Sequence, residues 1–218
     1  MTKSSPQHIV WDWNGTLLDD NHAVVSAVNE VCTAFDREHI DIDEWRSLYE
    51  RPLSKCYEQL LRRELDDQDW ARIDVLYHDN YRGLLDTCGM AEGVPHALDD
   101  WAAAGGSQSL LSMWFHDELV DLVTARGLHE RFARMDGLRS SIGGGSKAAH
   151  LREHLRAQQL DPAEVVLIGD VLDDAHAADE AGARCVLVTT GVMDRAKLET
   201  AGHPVVDSIP QALALLTP

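Results

Sequence analysis

A chain of 218 residues, 44% hydrophobic and 26% charged, can bury a core of one large domain, or of one domain carrying an insert. Its formal charge of -18 excludes the basic faces that nucleic-acid binding requires and opposes attraction to anionic membrane surfaces. An anionic substrate must then be met by concentrated positive charge or a bound cation, so each of the four lysines, set beside fifteen arginines, is worth weighing.

The four cysteines (Cys32, Cys56, Cys88, Cys185) are scattered without a CxxC pair and read as reduced thiols of a cytosolic protein. The amino end MTKSSPQ is short and polar, and no apolar run reaches membrane length, so a cytoplasmic location is expected.

The first element is an apolar run, Ile9 to Trp11, that leads directly into Asp12, after which Asn14-Gly15 turns the chain. This is the pattern of a buried strand with a carboxylate at its carboxyl tip, the position where open parallel sheets bind ligands. The plainer reading is an Asx-Gly turn that Asp12 merely caps. Helical periodicity follows through Ala23 to Phe35, Ile42 to Tyr49, Leu53 to Leu65 and Trp70 to Leu85, which predicts a small helical bundle over 20–86. From there helix and strand alternate: a helix from Gly93 through Trp101, a short strand Ser109 to Leu111 ending in Ser112, and a helix His116 to Arg126. A weak strand is expected near Phe132 to Met135, then a loop at Gly143 to Gly145 and a helix Ser146 to Gln158. The strand Val165 to Ile168, a helix Asp173 to Ala181, the strand Cys185 to Val188 and a last helix Ile209 to Leu216 complete the chain. Such alternation predicts an α/β fold, a Rossmann-like parallel sheet with helices on both faces, from 1–19 and 87–218.

Asp12, Ser112, Lys147 and the acidic group Asp170, Asp173 and Asp174 all fall at ends of elements facing one crevice. Asp173 or Asp174 could simply cap a helix, Ser112 could be a turn residue and Lys147 a solvated one. Three acids opposite a fourth repel one another without a cation, however, and an all-oxygen site suits Mg2+.

These stretches together resemble the haloacid dehalogenase superfamily, in its phosphoglycolate-phosphatase-like branch with a helical cap inserted after the first strand. DWNGTLLD stands at the nucleophile loop, Leu110 to Ser112 at the second motif, Lys147 in GGGSKAAHL at the third and GDVLDD at the fourth. The resemblance implies Mg-dependent hydrolysis of a small phosphorylated metabolite, with Asp12 as nucleophile and Ser112 and Lys147 holding the transferring group. It implies a metal bridging Asp12, the Asn14 carbonyl and Asp170, with Asp174 at the second acidic position and Asp173 beside it. Thr16, Met113, Arg51 and Lys55 fall on the substrate side; Arg51 and Lys55 read equally as surface charges at a helix start. The joints near Asp19 to Asn21 and Leu85 to Gly89 are expected to hinge.

One position departs from the pattern. Phosphatases of this kind place a second Asp two residues after the nucleophile, where this chain has Asn14, an amide that cannot exchange a proton. General acid-base catalysis contributes about a hundredfold to ten-thousandfold, roughly 3 to 5 kcal/mol of barrier. Two alternatives follow: a phosphonoacetaldehyde-hydrolase-like enzyme that breaks a carbon–phosphorus bond through a Schiff base on Lys55, or a catalytically weak phosphate-binding relative. The string His150 to His154 matches HxxEH, a zinc-protease spacing that arises easily by chance on a helix.

Overall fold

In the computed structural model, residues 7–139 and 146–216 are described. The expected Gly143 to Gly145 loop lies outside them. Two compact units account for the chain: a core of 1–19, 90–191 and 195–218, and a helical unit of 20–89 with 192–194.

In the core, strands β1 (His8–Trp11), β4 (Ser107–Phe115), β5 (Met135–Leu138), β6 (Val165–Gly169), β7 (Arg184–Val188) and β8 (Val205–Val206) form a six-stranded parallel sheet in the order β5-β4-β1-β6-β7-β8. Strands β2 (Leu18–Asp19) and β3 (Gly89–Met90) pair separately at the joint with the helical unit. β1 is the switch point: the chain winds outward to β4 and β5 on one side and then to β6, β7 and β8 on the other. Parallel sheets of this order leave a crevice at the carboxyl tip of the strand where the winding reverses.

The central strands are continuous apolar runs because both faces are covered. Ile9, Val10, Trp11, Val166, Leu167, Ile168 and Leu187 are all fully buried. The core helices are α5 (Val94–Ala103), α6 (His116–Ala125), α7 (Lys147–Ala157), α8 (Leu172–Ala181), α9 (Arg195–Glu199) and α10 (Ile209–Ala214). Strand alternation assigns two of them to faces. Gln108 accepts a hydrogen bond from the Trp11 indole and donates to Leu98 O on α5. The next residue, Ser109, points the opposite way and bonds His154 on α7. Thus α5 covers one face, and α7, packed on α8, the other.

Two strands differ from expectation. β4 runs from Ser107 to Phe115, well beyond the expected Ser109 to Leu111, and β5 begins at Met135, where the expected strand ended. The polar residues of these strands have partners of their own. His8 bonds both Ser107 and Ser109 at 2.7 Å. Ser109 also bonds His154 Nε2 at 2.7 Å, and His154 Nδ1 donates to Asp136 at 2.7 Å. Arg134 closes this chain on Asp136. Both ring nitrogens of His154 are therefore engaged, which gives the HxxEH string a packing role.

The helical unit contains α1 (Asn21–Ala34), α2 (Ile42–Leu48), α3 (Leu53–Leu61) and α4 (Asp67–Leu84), with α1 against α4. α3 stops four residues before the expected Leu65 because Arg62 turns left-handed at φ 53°. α4 starts three residues earlier than expected, because Asp66 and Asp69 form a reciprocal capping box at its amino end. Trp45, Tyr49, Tyr57 and Trp70 interlock as its aromatic centre.

Candidate active site

Strand register brings the functional side chains together. Trp11 is paired with Ile168 on one flank and Leu110 on the other. Residues just beyond these tips, Asp12, Asp170 and Ser112, must then stand side by side. Asp12 extends the ladder by donating its N–H to Ile168 O at 2.9 Å. It has the same strand parity as His8 and so faces the α7 side, where Lys147 begins that helix behind its cap, Ser146.

Lys147 is 3% exposed, and its ammonium lies 2.6 Å from Asp12 and 2.5 Å from Asp174. One oxygen each from Asp12, Asp170 and Asp174 all lie within 4.8 Å of one another. Three buried carboxylates against one ammonium leave excess negative charge, which burial makes costly unless a cation shares it. The all-oxygen donor set, buried and anchored, fits Mg2+ by that chemistry.

Each acid is held. Asp170 accepts from the Thr16 hydroxyl at 3.2 Å. It also fits so closely between two glycines that a Cβ on Gly15 would stand 2.6 Å from its Oδ2, and one on Gly191 only 1.7 Å. Gly15 itself has φ +70°, the left-handed region that an Asn-Gly turn uses. Asp174 accepts from the Val171 N–H at 3.2 Å, complementing the amino end of α8. Gly169 lets it close on the strand, since a Cβ there would meet Asp174 at 2.2 Å.

Burial pushes the Asp12 carboxyl up to about 6; the Lys147 ammonium opposes the rise, and Asp174 adds to it. Burial also works against the Lys147 charge, but Asp12 and Asp174 outweigh it and hold that ammonium above the ordinary lysine range. The direction that governs chemistry is the ion pair: at neutral pH Asp12 is a carboxylate beside a charged Lys147.

Ser112 is buried; its hydroxyl donates to Asn14 Oδ1 at 3.3 Å and accepts from the Trp114 N–H at 3.0 Å. Asp12, Asn14, Ser112, Lys147, Asp170 and Asp174 thus meet at one strand-tip crevice of the core. Asp173 is half-buried and stands outside the three-acid cluster, which contains its neighbour Asp174. Thr16, expected on the substrate side, is fully buried with its hydroxyl on Asp170. Met113 is half-buried beside Ser112, while Arg51 and Lys55 are exposed on the helical unit. Sequence reasoning missed the wall after β7, where Thr190 donates to Gly15 O at 2.6 Å and Gly191 abuts Asp170. The small residues Thr189-Thr190-Gly191 at a parallel strand's carboxyl tip were the available signal.

The fold is a Rossmann-like α/β core with its polar cluster at the switch point, the architecture of a hydrolase built on strand tips. The match to the haloacid dehalogenase-like hydrolase family model spans residues 9–188, and the chain belongs to that family. It is 25% identical over 191 residues to a phosphoglycolate phosphatase of Mesorhizobium japonicum, covering 86% of this chain and 84% of the relative. In structure it resembles a haloacid dehalogenase-like hydrolase of Streptococcus pneumoniae (TM-score 0.82, 19% identity, all of both chains). It also resembles a predicted phosphatase of Clostridium acetobutylicum (TM-score 0.82, 18% identity, 97% of this chain and 98% of the other). No helix among the described residues is long and apolar enough to cross a membrane.

Proposed function

We propose that this hydrolase is a Mg2+-dependent phosphatase of a small phosphorylated metabolite in the cytoplasm, working through a phosphoryl group carried on Asp12. The observation that carries this reading is the buried trio Asp12, Asp170 and Asp174 gathered around Lys147. The phosphatase name of the Mesorhizobium relative supports it.

Asp12, Asp170 and the Asn14 main-chain carbonyl would hold the cation, with Asp174 supporting them and Asp173 flanking. When bound, it supplies charge neutralisation for phosphate oxygens. Asp12, ionised and oriented by Lys147, attacks phosphorus: a bond forms from its carboxylate oxygen as the bond to the leaving oxygen breaks, the electron pair departing with that oxygen. Water then attacks phosphorus, the bond to Asp12 breaks, and phosphate leaves with the carboxylate restored. The Ser112 hydroxyl and Lys147 ammonium donate to the transferring oxygens, a contribution of about a hundredfold to a thousandfold for each well-placed donor. Thr16 acts by holding Asp170. Met113, beside Ser112 on the core, supplies a substrate contact.

Phosphate release from p-nitrophenyl phosphate should require Mg2+ and fall at least about a thousandfold in Asp12→Asn, as expected for loss of a nucleophile. Chelator-resistant turnover, or turnover that survives in Asp12→Asn, would remove the reading.

A further inference from the structure

The reaction above places a demand on the leaving oxygen, which must take up a proton or depart without one. The ionisable side chains of the cluster are already engaged. Asp12 is the attacking group, Asp170 is held by Thr16, and Asp174 and Asp12 share the Lys147 ammonium. Two residues beyond Asp12, on the same turn, stands Asn14, whose carboxamide oxygen accepts from Ser112 at 3.3 Å. That bond assigns the amide's orientation and directs its nitrogen end away from Ser112. A carboxamide nitrogen can donate a hydrogen bond to a departing oxygen but cannot give up a proton to it. The Lys147 ammonium is taken up by two carboxylates, at 2.6 Å from Asp12 and 2.5 Å from Asp174.

We infer that this site is built for phosphoryl compounds whose leaving group departs as a stabilised anion: acyl, enol or aryl phosphates in preference to alkyl phosphates. The inference rests on the phosphatase reading and narrows its substrate class. In such compounds the electron pair released when the phosphorus–oxygen bond breaks is delocalised into a carbonyl, an enolate or a ring, and proton transfer to the oxygen can follow in solvent. An amide hydrogen bond from Asn14 is enough to orient that oxygen. An alkoxide has no such delocalisation and would forfeit most of the general-acid factor, about a hundredfold to ten-thousandfold. One consequence concerns the substrate named for the Mesorhizobium relative: 2-phosphoglycolate, an alkyl ester, should be a poor substrate for this chain.

The test is a leaving-group series on the full-length protein with Mg2+. It comprises acetyl phosphate, substituted phenyl phosphates of graded phenol acidity, and 2-phosphoglycolate. Wild-type kcat/KM should fall steeply as the leaving group becomes more basic. In Asn14→Asp the slope should flatten, with the ratio of 2-phosphoglycolate to p-nitrophenyl phosphate turnover rising about tenfold or more. A flat wild-type series, or equal gains for both esters in the variant, would overturn the inference while leaving the phosphatase reading intact. No metal-dependent phosphate release from any member would instead remove the phosphatase reading itself. Should Asn14→Asp fail to fold, the wild-type slope alone decides.

Discussion

Lowering the pH should weaken the folded state through His8, a residue far along β1 from the reacting groups. This side chain is 2% exposed, and both of its ring nitrogens are bonded to serines of β4. Burial, with the nearby His154 adding to it, lowers its pKa from 6.5 to about 4. For a base lowered in this way the fold prefers the neutral ring. Its contribution is complete above the unfolded pKa of about 6.5 and is lost as pH falls through that value towards about 4. At about pH 5 the unfolded ring is almost fully protonated and the folded ring only about a tenth so, which amounts to about 2 kcal/mol lost relative to about pH 7.5. Urea denaturation of wild type and His8→Gln across this interval isolates the effect, because the carboxylate titrations are common to both proteins and cancel in the difference. His8→Gln should be less stable at neutral pH, having lost part of the serine bonding, but should lose about 2 kcal/mol less than wild type on acidification. Parallel stability curves for the two proteins would refute the reasoning.

Two further outcomes are expected. If a cation relieves the three-carboxylate cluster, Mg2+ at about a hundred times its Kd should stabilise the fold by about 2.7 kcal/mol; for a chain of this size that raises Tm by roughly 5 to 10 °C. Asp170→Asn should blunt the shift in a thermal melt, and an equal shift in the variant would place the ion elsewhere. If Lys55 were to form a Schiff base, borohydride with phosphonoacetaldehyde would leave a covalent adduct on it. The leaving-group reading predicts no such adduct by mass spectrometry, and its appearance would make carbon–phosphorus cleavage the chemistry.

Much of this architecture was legible because the site lies where continuous apolar runs stop. Ile9 to Trp11 and Val165 to Gly169 are buried on both faces and end in carboxylates, so neither strand nor acid needs tertiary knowledge to be seen. Harder to see was any element whose polar residues find partners from distant segments. Ser107 and Gln108 lie outside the expected strand, and His8 and Trp11 satisfy them within β4. Asp136-Gly137 lies just beyond the weak strand expected near Phe132 to Met135. In the fold Asp136 is drawn into β5: burial favours its neutral acid, but bonds from His154 and Arg134 prevail and hold its pKa at about 2. Gly137 admits the Trp114 carbonyl to within 2.6 Å of where a Cβ would sit. In the site the order of motifs pointed to Asp12, Lys147 and Asp170. Which of the adjacent acids pairs with Lys147 depends on helix phase, and α8 turns Asp174 inward. Thr190 carried no chemical signature of its own, since its role is to grip the Gly15 carbonyl.

The pairing of β2 with β3 has a consequence for how such a chain can change over evolutionary time. The helical segment leaves the core at Asp19 and re-enters at Met90, and these two points are neighbours in one small ladder. Joining two fixed neighbouring ends costs a loop little more as it lengthens, about 0.6 kcal/mol for each doubling. The ladder therefore works as a splice point, where segments of very different length and sequence can be accepted without disturbing the register that sets Asp12 beside Asp170. Lineages sharing this core are free to exchange the inserted segment wholesale while inheriting the strand-tip residues unaltered.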